Sequence, residues 1–297
     1  MPKKYTIGVD VGGTKIVAGL VSDGKIIRKE RFATKSSEKS GKKEIITNLK
    51  NAIDSVWDER VESIGLGLAG TTDPKKVFFY RGANYPKSFR NIYLKPELKK
   101  FGVPIKIDND VHCFTLGEAL YGGGKGQPVV FGMTLGTGLG GSLVINGQVF
   151  RGRDNAAGEI GHTTIAMTDS KAICGMGLTG HLEAYASGTG ISRMVAERYN
   201  TPFSPEELER RDKAGEKKAH EIVEVAGHAF AVGCANVVLT LNPDVIVVGG
   251  GLARMQALWK VLRREFKGLI PYPQLRSTPV IKSKLSHDAN ILGAANL

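Results

Sequence analysis

The stretch LGTGLGG, residues 135–141, satisfies the spacing G-x-G-x-x-G and poses a choice between folds. In a dinucleotide-binding unit that fingerprint opens a helix, whose N–H groups receive the pyrophosphate. Here it runs into SLVINGQV, a β-branched stretch with an Asn-Gly turn, which predicts a strand and a hairpin. The dinucleotide reading fails on that ground. No G-x-x-x-x-G-K-[ST] occurs in the chain, which excludes a P-loop NTPase at the level of the motif. What remains is a glycine turn between two strands, whose backbone N–H groups can cradle phosphate oxygens.

The same device opens the chain: DVGGTK (10–15) lies between the alternating runs YTIGVDV and KIVAGLV. Laid over one another at an offset of 123 residues, Gly13-Thr14 falls on Gly136-Thr137 and Asp23-Gly24 falls on Asn146-Gly147. An internal duplication is the economical explanation. It predicts two α/β lobes, each opening with strand, tight glycine turn and strand, so that two phosphate-sized turns could face one another across a cleft.

The rest of the pattern supports this organisation. In the first lobe a third strand, IIRKERFAT, follows the turn SDGK (22–25); a helix is predicted over 42–57, a buried strand over 63–70, another helix near 94–101 and a short strand over 104–108. A helix over 111–120 follows. In the second lobe helices are predicted over 187–199, 204–212 and 215–241, then a buried strand DVIVVGGG (244–251) and a helix from about 252 to 266. Gly249, Gly250 and Gly251 let a ligand or another backbone approach closely. HDANILGAANL reads as a short helix of small residues. The expected division is residues 1–110, together with the C-terminal helix 287–297, against residues 111–286.

Composition bounds the class. With 297 residues, 41% hydrophobic and 24% charged, the chain is an ordinary globular protein long enough for two lobes. No uninterrupted apolar run reaches the roughly 20 residues that span a bilayer, and MPKKYTIGVD passes into strand alternation without a signal peptide, so no membrane partner and a cytoplasmic location are expected. Cys113, Cys174 and Cys234 are too few and too scattered for a disulfide framework. Of the net charge of +12, residues 1–110 carry 22 Lys and Arg against 13 Asp and Glu. An anionic ligand or nucleic acid would suit that excess, but the lysines are scattered and no nucleic-acid-binding motif accompanies them, so no nucleic-acid partner is expected.

Between a strand and a helix stand Asp108, Asn109 and Asp110, in IKIDNDVHCF (105–114). One of them is a catalyst, or they cap the helix; Asp110, placed just before residue 111, suits either role. Asp10, ending the first strand beside Gly12, Gly13, Thr14 and Lys15, is able to hold a metal ion while Thr14 and Lys15 offer donors to phosphate.

Taken in order, DVGGTK, LAG (68–70), DND (108–110), LGTGLGG, AAGEIGH (156–162) and VVGGG (247–251) resemble the ROK family of sugar kinases over nearly the whole chain. The resemblance implies the actin-like ATPase fold, two ribonuclease-H-like lobes with mixed sheets flanked by helices, with ATP, Mg²⁺ and a hexose bound between them. It implies that residues 8–15 and 136–143, Gly138 included, are the phosphate loops, that Gly249 and Gly250 lie against the adenosine, and that Asp10 reaches Mg²⁺ through water. Asp110 corresponds to the general base and Asn109 to a sugar contact. Glu159, His162 and Glu183 would grip the sugar, with Gly70 and Asn84 beside it. Asp108 is left to structure, and Asp108→Asn is expected to do little.

Many family members bind a structural zinc with that histidine and three cysteines in C-x-C-G-x-x-G-C-x-E. Here the stretch reads Cys174-Gly-Met176-Gly-Leu-Thr-Gly-His181-Leu-Glu183, with two of the three cysteines replaced. His162, Cys174 and His181 offer three ligands, whereas a closed site wants four and a thioether serves zinc poorly. No structural zinc is expected, and packing around Met176 is expected to hold the loop in its place.

The resulting expectation is an ATP-dependent hexose kinase acting on the 6-hydroxyl of N-acetylglucosamine or glucose, and a homodimer as its relatives commonly are. ANYP, DNDVHCF and GEAL are closer to the N-acetylglucosamine kinases of the family than to its fructokinases. The rivals are a sugar-responsive ROK-type transcriptional regulator and a catalytically silent sugar-binding scaffold. Regulators carry an N-terminal helix-turn-helix, for which a first strand starting near residue 5 leaves no room, and the phosphate loops and Asp110 are intact.

Overall fold

A computed structural model describes residues 4–34 and 41–297. In chain order the elements are β1 (Tyr5–Val11), β2 (Lys15–Ser22), β3 (Lys25–Ala33), α1 (Gly41–Ser55), β4 (Val61–Leu68), β5 (Thr71–Asp73), β6 (Phe78–Arg81), β7 (Ile92–Tyr93), α2 (Leu94–Glu97), β8 (Ile105–Asn109) and α3 (Asp110–Tyr121). They continue with β9 (Val129–Leu135), β10 (Leu139–Ile145), β11 (Gln148–Phe150), α4 (Glu183–Ala186), α5 (Gly188–Tyr199), α6 (Pro205–Lys213), α7 (Lys217–Leu241), β12 (Val245–Gly249), α8 (Gln256–Glu265), β13 (Val280–Lys282) and α9 (Asp288–Ala294).

The chain divides into two compact units. One comprises Met1–Pro128, Leu143–Ala157 and Lys284–Leu297, the other Val129–Ser142 and Gly158–Ser283. The sequence boundary expected after residue 110 thus falls at the start of α3, within the first unit.

The first unit is built on a sheet of order β3-β2-β1-β4-β8. Strands β1, β2 and β3 pair antiparallel, whereas β1–β4 and β4–β8 are parallel. The burial explains the sequence pattern: β1 and β4 are covered almost throughout, as parallel strands between helices must be, and the outer strand β3 is exposed and rich in Lys and Arg, which discourages edge pairing. Helix α1 buries Ile45, Ile46, Leu49, Ala52 and Ile53. Helices α3 and α9 pack together so closely that a side chain at Gly117 or Gly293 would strike the backbone of the other helix. A small sheet, β5-β6-β7, with the aromatic cluster Phe79, Tyr85 and Phe89, is absent from the sequence reading.

The second five-stranded sheet has the order β11-β10-β9-β12-β13, element for element the order of the first. The hairpin turns match as well: Asp23 and Gly24 have φ of 52° and 70°, Asn146 and Gly147 have 50° and 74°. Two positive φ values define the tight hairpin turn that Asp-Gly and Asn-Gly favour. In the second unit α7 is long and apolar enough to cross a bilayer, but 67% of its apolar window is buried and it packs against α4, α5, α6 and α8 as a core helix. The helix expected from 252 does not start there. Gly251–Arg254 form a 3₁₀ turn, Met255 is extended, and the indole N–H of Trp259 donates to Ala253 O at 2.8 Å, closing the break before α8. The helix expected over 94–101 is likewise split into α2 and a 3₁₀ turn ending at Gly102.

Candidate active site

Within the first unit the turn between β1 and β2 is closed by Gly12 N–H donating to Lys15 O at 2.9 Å, and its flank is tied down by Thr34, whose N–H donates to Thr14 O and whose hydroxyl donates to Gly12 O. Thr14 projects into solvent. A Cβ on Gly13 would lie 2.5 Å from Asn84 O, so glycine is required where the turn abuts GANYP. The contact is to Asn84's backbone and Cβ; the residue itself is exposed. Tyr85, buried next to it, donates its hydroxyl to Val11 O.

Asp10, one residue before the end of β1, accepts a hydrogen bond from Asn290 Nδ2 at 3.2 Å. Burial raises its pKa, opposed by that bond and by the charge of Lys15. A carboxylate so placed, with one amide donor and one lysine for company, suits a cation. Asn290 comes from α9, 280 residues away, and no local sequence signal marks it.

At the end of β8 the three polar residues take three different positions. Asn109, not Asp110, is the N-cap of α3: its Oδ1 accepts from Val111 N–H at 2.7 Å, while its Nδ2 donates to Gly70 O at 3.0 Å. That leaves Asp110 in the first turn, where the N–H groups of Val111 and of Asp110 itself favour its charged form. Burial, reinforced by the charge of Asp10, pushes its pKa up to about 6. The rise fits a base that is ionised at neutral pH yet basic enough to take a proton.

Asp108 is fully buried. Its Oδ1 accepts from Asn109 N–H (2.8 Å), His112 Nδ1 (2.7 Å) and Asn155 Nδ2 (3.2 Å); its Oδ2 accepts from Arg151 Nε (2.9 Å) and Nη2 (2.7 Å). Burial opposes ionisation, but the His112 hydrogen bond and the charges of His112 and Arg151 outweigh it and hold its pKa below the usual value. The structural role expected for Asp108 agrees with this geometry. The expectation that Asp108→Asn does little does not, because an amide would place an NH₂ or a weaker acceptor against donors that all point inward.

In the second unit the turn Gly136-Thr137-Gly138 joins β9 to β10, closed by Gly136 N–H to Gly138 O at 2.9 Å. It sits on the start of α5: Gly188 N–H donates to Gly136 O at 2.8 Å and Thr189 N–H to Thr137 O at 3.0 Å, while Ser187 caps the helix through Gly190 N–H. Thr137, like Thr14, projects into solvent. Beside it lies a cavity of 640 Å³ whose lining includes Gly136, Thr137, Thr189, Pro205, Gly251 and Met255. Of the three glycines 249–251 it is Gly251 that lines this cavity. Gly249 is the buried last residue of the strand, and Gly250, at φ 90°, turns the chain against Leu135 O.

Glu159 is exposed and His162 is partly buried in the 3₁₀ turn Ile160–His162. Glu183 points elsewhere: its Oε2 accepts from Leu139 N–H at 3.0 Å and its Oε1 from Gly175 N–H at 2.8 Å, so the carboxylate braces the start of β10 against the loop 174–181. His162, Cys174 and His181 bring their ligand atoms within 4.8 Å of one another, and His162 Nδ1 is buried without a hydrogen-bond partner. Met176, in place of a fourth ligand, is 58% exposed. The residues therefore do not complete a closed four-ligand site. Nor does packing around Met176 hold the loop, contrary to expectation. The loop is held by Cys174 Sγ to His181 Nδ1 at 3.3 Å, by Glu183, by the bridges Thr164–His181 and Ile173–Thr179, and by Tyr185 donating to Asp169 at 2.9 Å.

The whole chain is similar to known sugar kinases. A glucokinase of Thermotoga maritima is 33% identical over 100% of this chain and 98% of its own length. An N-acetyl-D-glucosamine kinase of Photobacterium profundum is 33% identical over 98% of each. A ROK family glucokinase of Streptomyces griseus, solved with glucose and AMPPNP, superposes over 98% of both chains with a TM-score of 0.82 at 28% identity. The duplicated sheet order, with a glycine turn between the first two strands of each sheet, is thus the actin-like ATPase architecture expected from the motifs. Since the ROK family profile matches residues 6–297, the chain belongs to that family.

Proposed function

We propose that this sugar kinase transfers the γ-phosphoryl of ATP to the 6-hydroxyl of glucose or N-acetylglucosamine. The observation that carries the reading is Asp110: a buried carboxylate in the first turn of α3, facing the charge of Asp10, with a pKa raised to about 6. In the proposed mechanism Asp110 accepts the proton of the attacking hydroxyl as the phosphoryl group arrives, a role worth about 10²–10⁴ in rate. Asn109 fixes the backbone of the base through its cap, and the amide N–H that it does not give to Gly70 O is its contact for the sugar. Gly70, Asn84, Glu159 and His162 supply further hydroxyl contacts, and Glu183 orients Leu139 and Gly175 from behind.

The turns 12–14 and 136–138 present backbone N–H groups to the phosphates, with Thr14, Lys15 and Thr137 as side-chain donors. The cavity lined by Gly136, Thr137 and Gly251 takes the nucleoside. Asp10 would hold Mg²⁺ through water; when bound, the ion neutralises charge on the β- and γ-phosphates. No structural zinc, a cytoplasmic location and a homodimer complete the proposal. ADP release measured across glucose, N-acetylglucosamine, mannose and fructose tests it. A regulator or a silent scaffold would bind sugar without releasing ADP.

A further inference from the structure

We infer that Arg151 and Asn155 are positioning residues for the base, acting through Asp108. The inference rests on Asp110 being that base. Asp108 sits two residues before it, and five donors saturate its two oxygens: the Asn109 amide, His112, Asn155 and both nitrogens of the Arg151 fork. The bond to Asn109 N–H makes the side chain of Asp108 part of the backbone geometry that leads into Asp110. Whatever holds the carboxylate of Asp108 therefore holds the peptide plane between residues 108 and 109.

Two of those holds come from outside the strand and helix that carry the base. Arg151 and Asn155 belong to the segment after β11, which is folded on itself by Ala157 N–H donating to Arg151 O at 3.2 Å. Asn155 reaches further, donating from Nδ2 to Thr72 Oγ1 at 3.1 Å, and Thr72 lies two residues after Gly70. Gly70 O in turn accepts from Asn109. Asp108 is thus the shared acceptor of donors from β8, α3 and the 151–157 segment, and Asn155 and Asn109 tie that cluster to Thr72 and Gly70. Arg151 contributes what no other residue in the cluster has, a planar guanidinium that sets two charged N–H donors, Nε and Nη2, on the single oxygen Oδ2.

Misplacement of a catalytic group by about 1 Å costs about 10²-fold in rate. Loss of the Arg151 fork from Asp108 should therefore appear in kcat and leave ATP binding untouched. The Arg151 side chain is 38% exposed while Asp108 is fully covered, so the guanidinium position is open to a small solute. This gives a readout that a merely stabilising ion pair would not move. In Arg151→Ala we expect kcat to fall by about ten- to a hundredfold, with KM for ATP within twofold of wild type. Millimolar guanidinium should restore part of the loss in Arg151→Ala and nothing in wild type. Arg151→Lys, which keeps the charge but not the fork, should remain folded with kcat intermediate.

Should Arg151→Ala not fold, Arg151→Lys carries the test, and a folded Arg151→Lys with wild-type kcat overturns the inference. So does an Arg151→Ala enzyme that keeps wild-type kcat, or one that loses activity only as far as its folded fraction falls, without recovery in guanidinium. Asp110→Asn run in parallel separates the two claims. An active Asp110→Asn removes the base assignment itself, whereas an inactive one beside an unaffected Arg151→Ala removes only the positioning role.

Discussion

Replacing Asp110 by Asn should cost activity and gain stability, and the structure gives a magnitude for each. The amide keeps the shape of the side chain but cannot accept the hydroxyl proton. Loss of a base worth about 10²–10⁴ corresponds to roughly 2.7–5.4 kcal/mol of barrier. The stability effect follows from the pKa, which rises from 3.8 to about 6 because burial and Asp10 disfavour the charge. A carboxyl whose folded pKa is raised stabilises the fold fully below about pH 4 and loses that contribution as pH climbs through about 6. At pH 8 the ionised Asp110 therefore costs up to about 3 kcal/mol, a ceiling because the residue keeps some exposure. Asn removes that cost. Asp110→Asn should melt several degrees above wild type at pH 8, with the gap closing towards pH 4, while sugar affinity stays within a few-fold and kcat collapses. Calorimetry across pH and ADP release at saturating sugar check both halves. A fully active variant refutes the base assignment, and a variant that melts below wild type at pH 8 refutes the burial argument.

The kcat of the wild-type enzyme should fall as pH drops through about 6, because the base works only when ionised; a rate flat from pH 8 to 5 would contradict this. Asp108→Asn should lose about 3 kcal/mol of stability in denaturant unfolding, since it leaves Arg151 and His112 facing an uncharged amide. Purified protein should carry no stoichiometric zinc by elemental analysis and remain folded and active after chelation and restoration of Mg²⁺. One zinc per chain with unfolding on chelation would restore a three-ligand site at His162, Cys174 and His181. Light scattering at micromolar concentration should give twice the chain mass, with the exposed Val225, Leu239 and Leu241 of α7 as candidate contacts; a single-chain mass would overturn the dimer.

The duplicated opening was legible because it is written locally. β-branched alternation, a glycine turn and an Asp-Gly or Asn-Gly hairpin each dictate backbone geometry within a few residues, and both hairpins adopt the positive φ pair their sequences require. What sequence reasoning missed is held by distant partners. Asn290 meets Asp10 from the far end of the chain, and Arg151 meets Asp108 across 43 residues. Nothing in FRGRDN or HDANIL announces such a pairing. The cap is a subtler case. Asn and Asp are both good caps, so DND alone does not tell which residue ends the strand; the hydrogen bond from Val111 to Asn109 decides it and places Asp110 inside the first turn. The 3₁₀ turn that begins at the third glycine escaped for a related reason, since LARMQALWKV keeps helical spacing on both sides of a break that Trp259 closes.

The central claim is phosphoryl transfer to a hexose with Asp110 as base. Its most direct test is product analysis by ³¹P NMR of the wild-type enzyme and Asp110→Asn, each with ATP, Mg²⁺ and either glucose or N-acetylglucosamine. Wild type should yield ADP and a sugar 6-phosphate in equal amounts with at least one of the two sugars, and Asp110→Asn should yield neither while still binding that sugar. ATP left intact by a folded, sugar-binding wild-type protein, or sugar phosphate formed at the wild-type rate by Asp110→Asn, would contradict it.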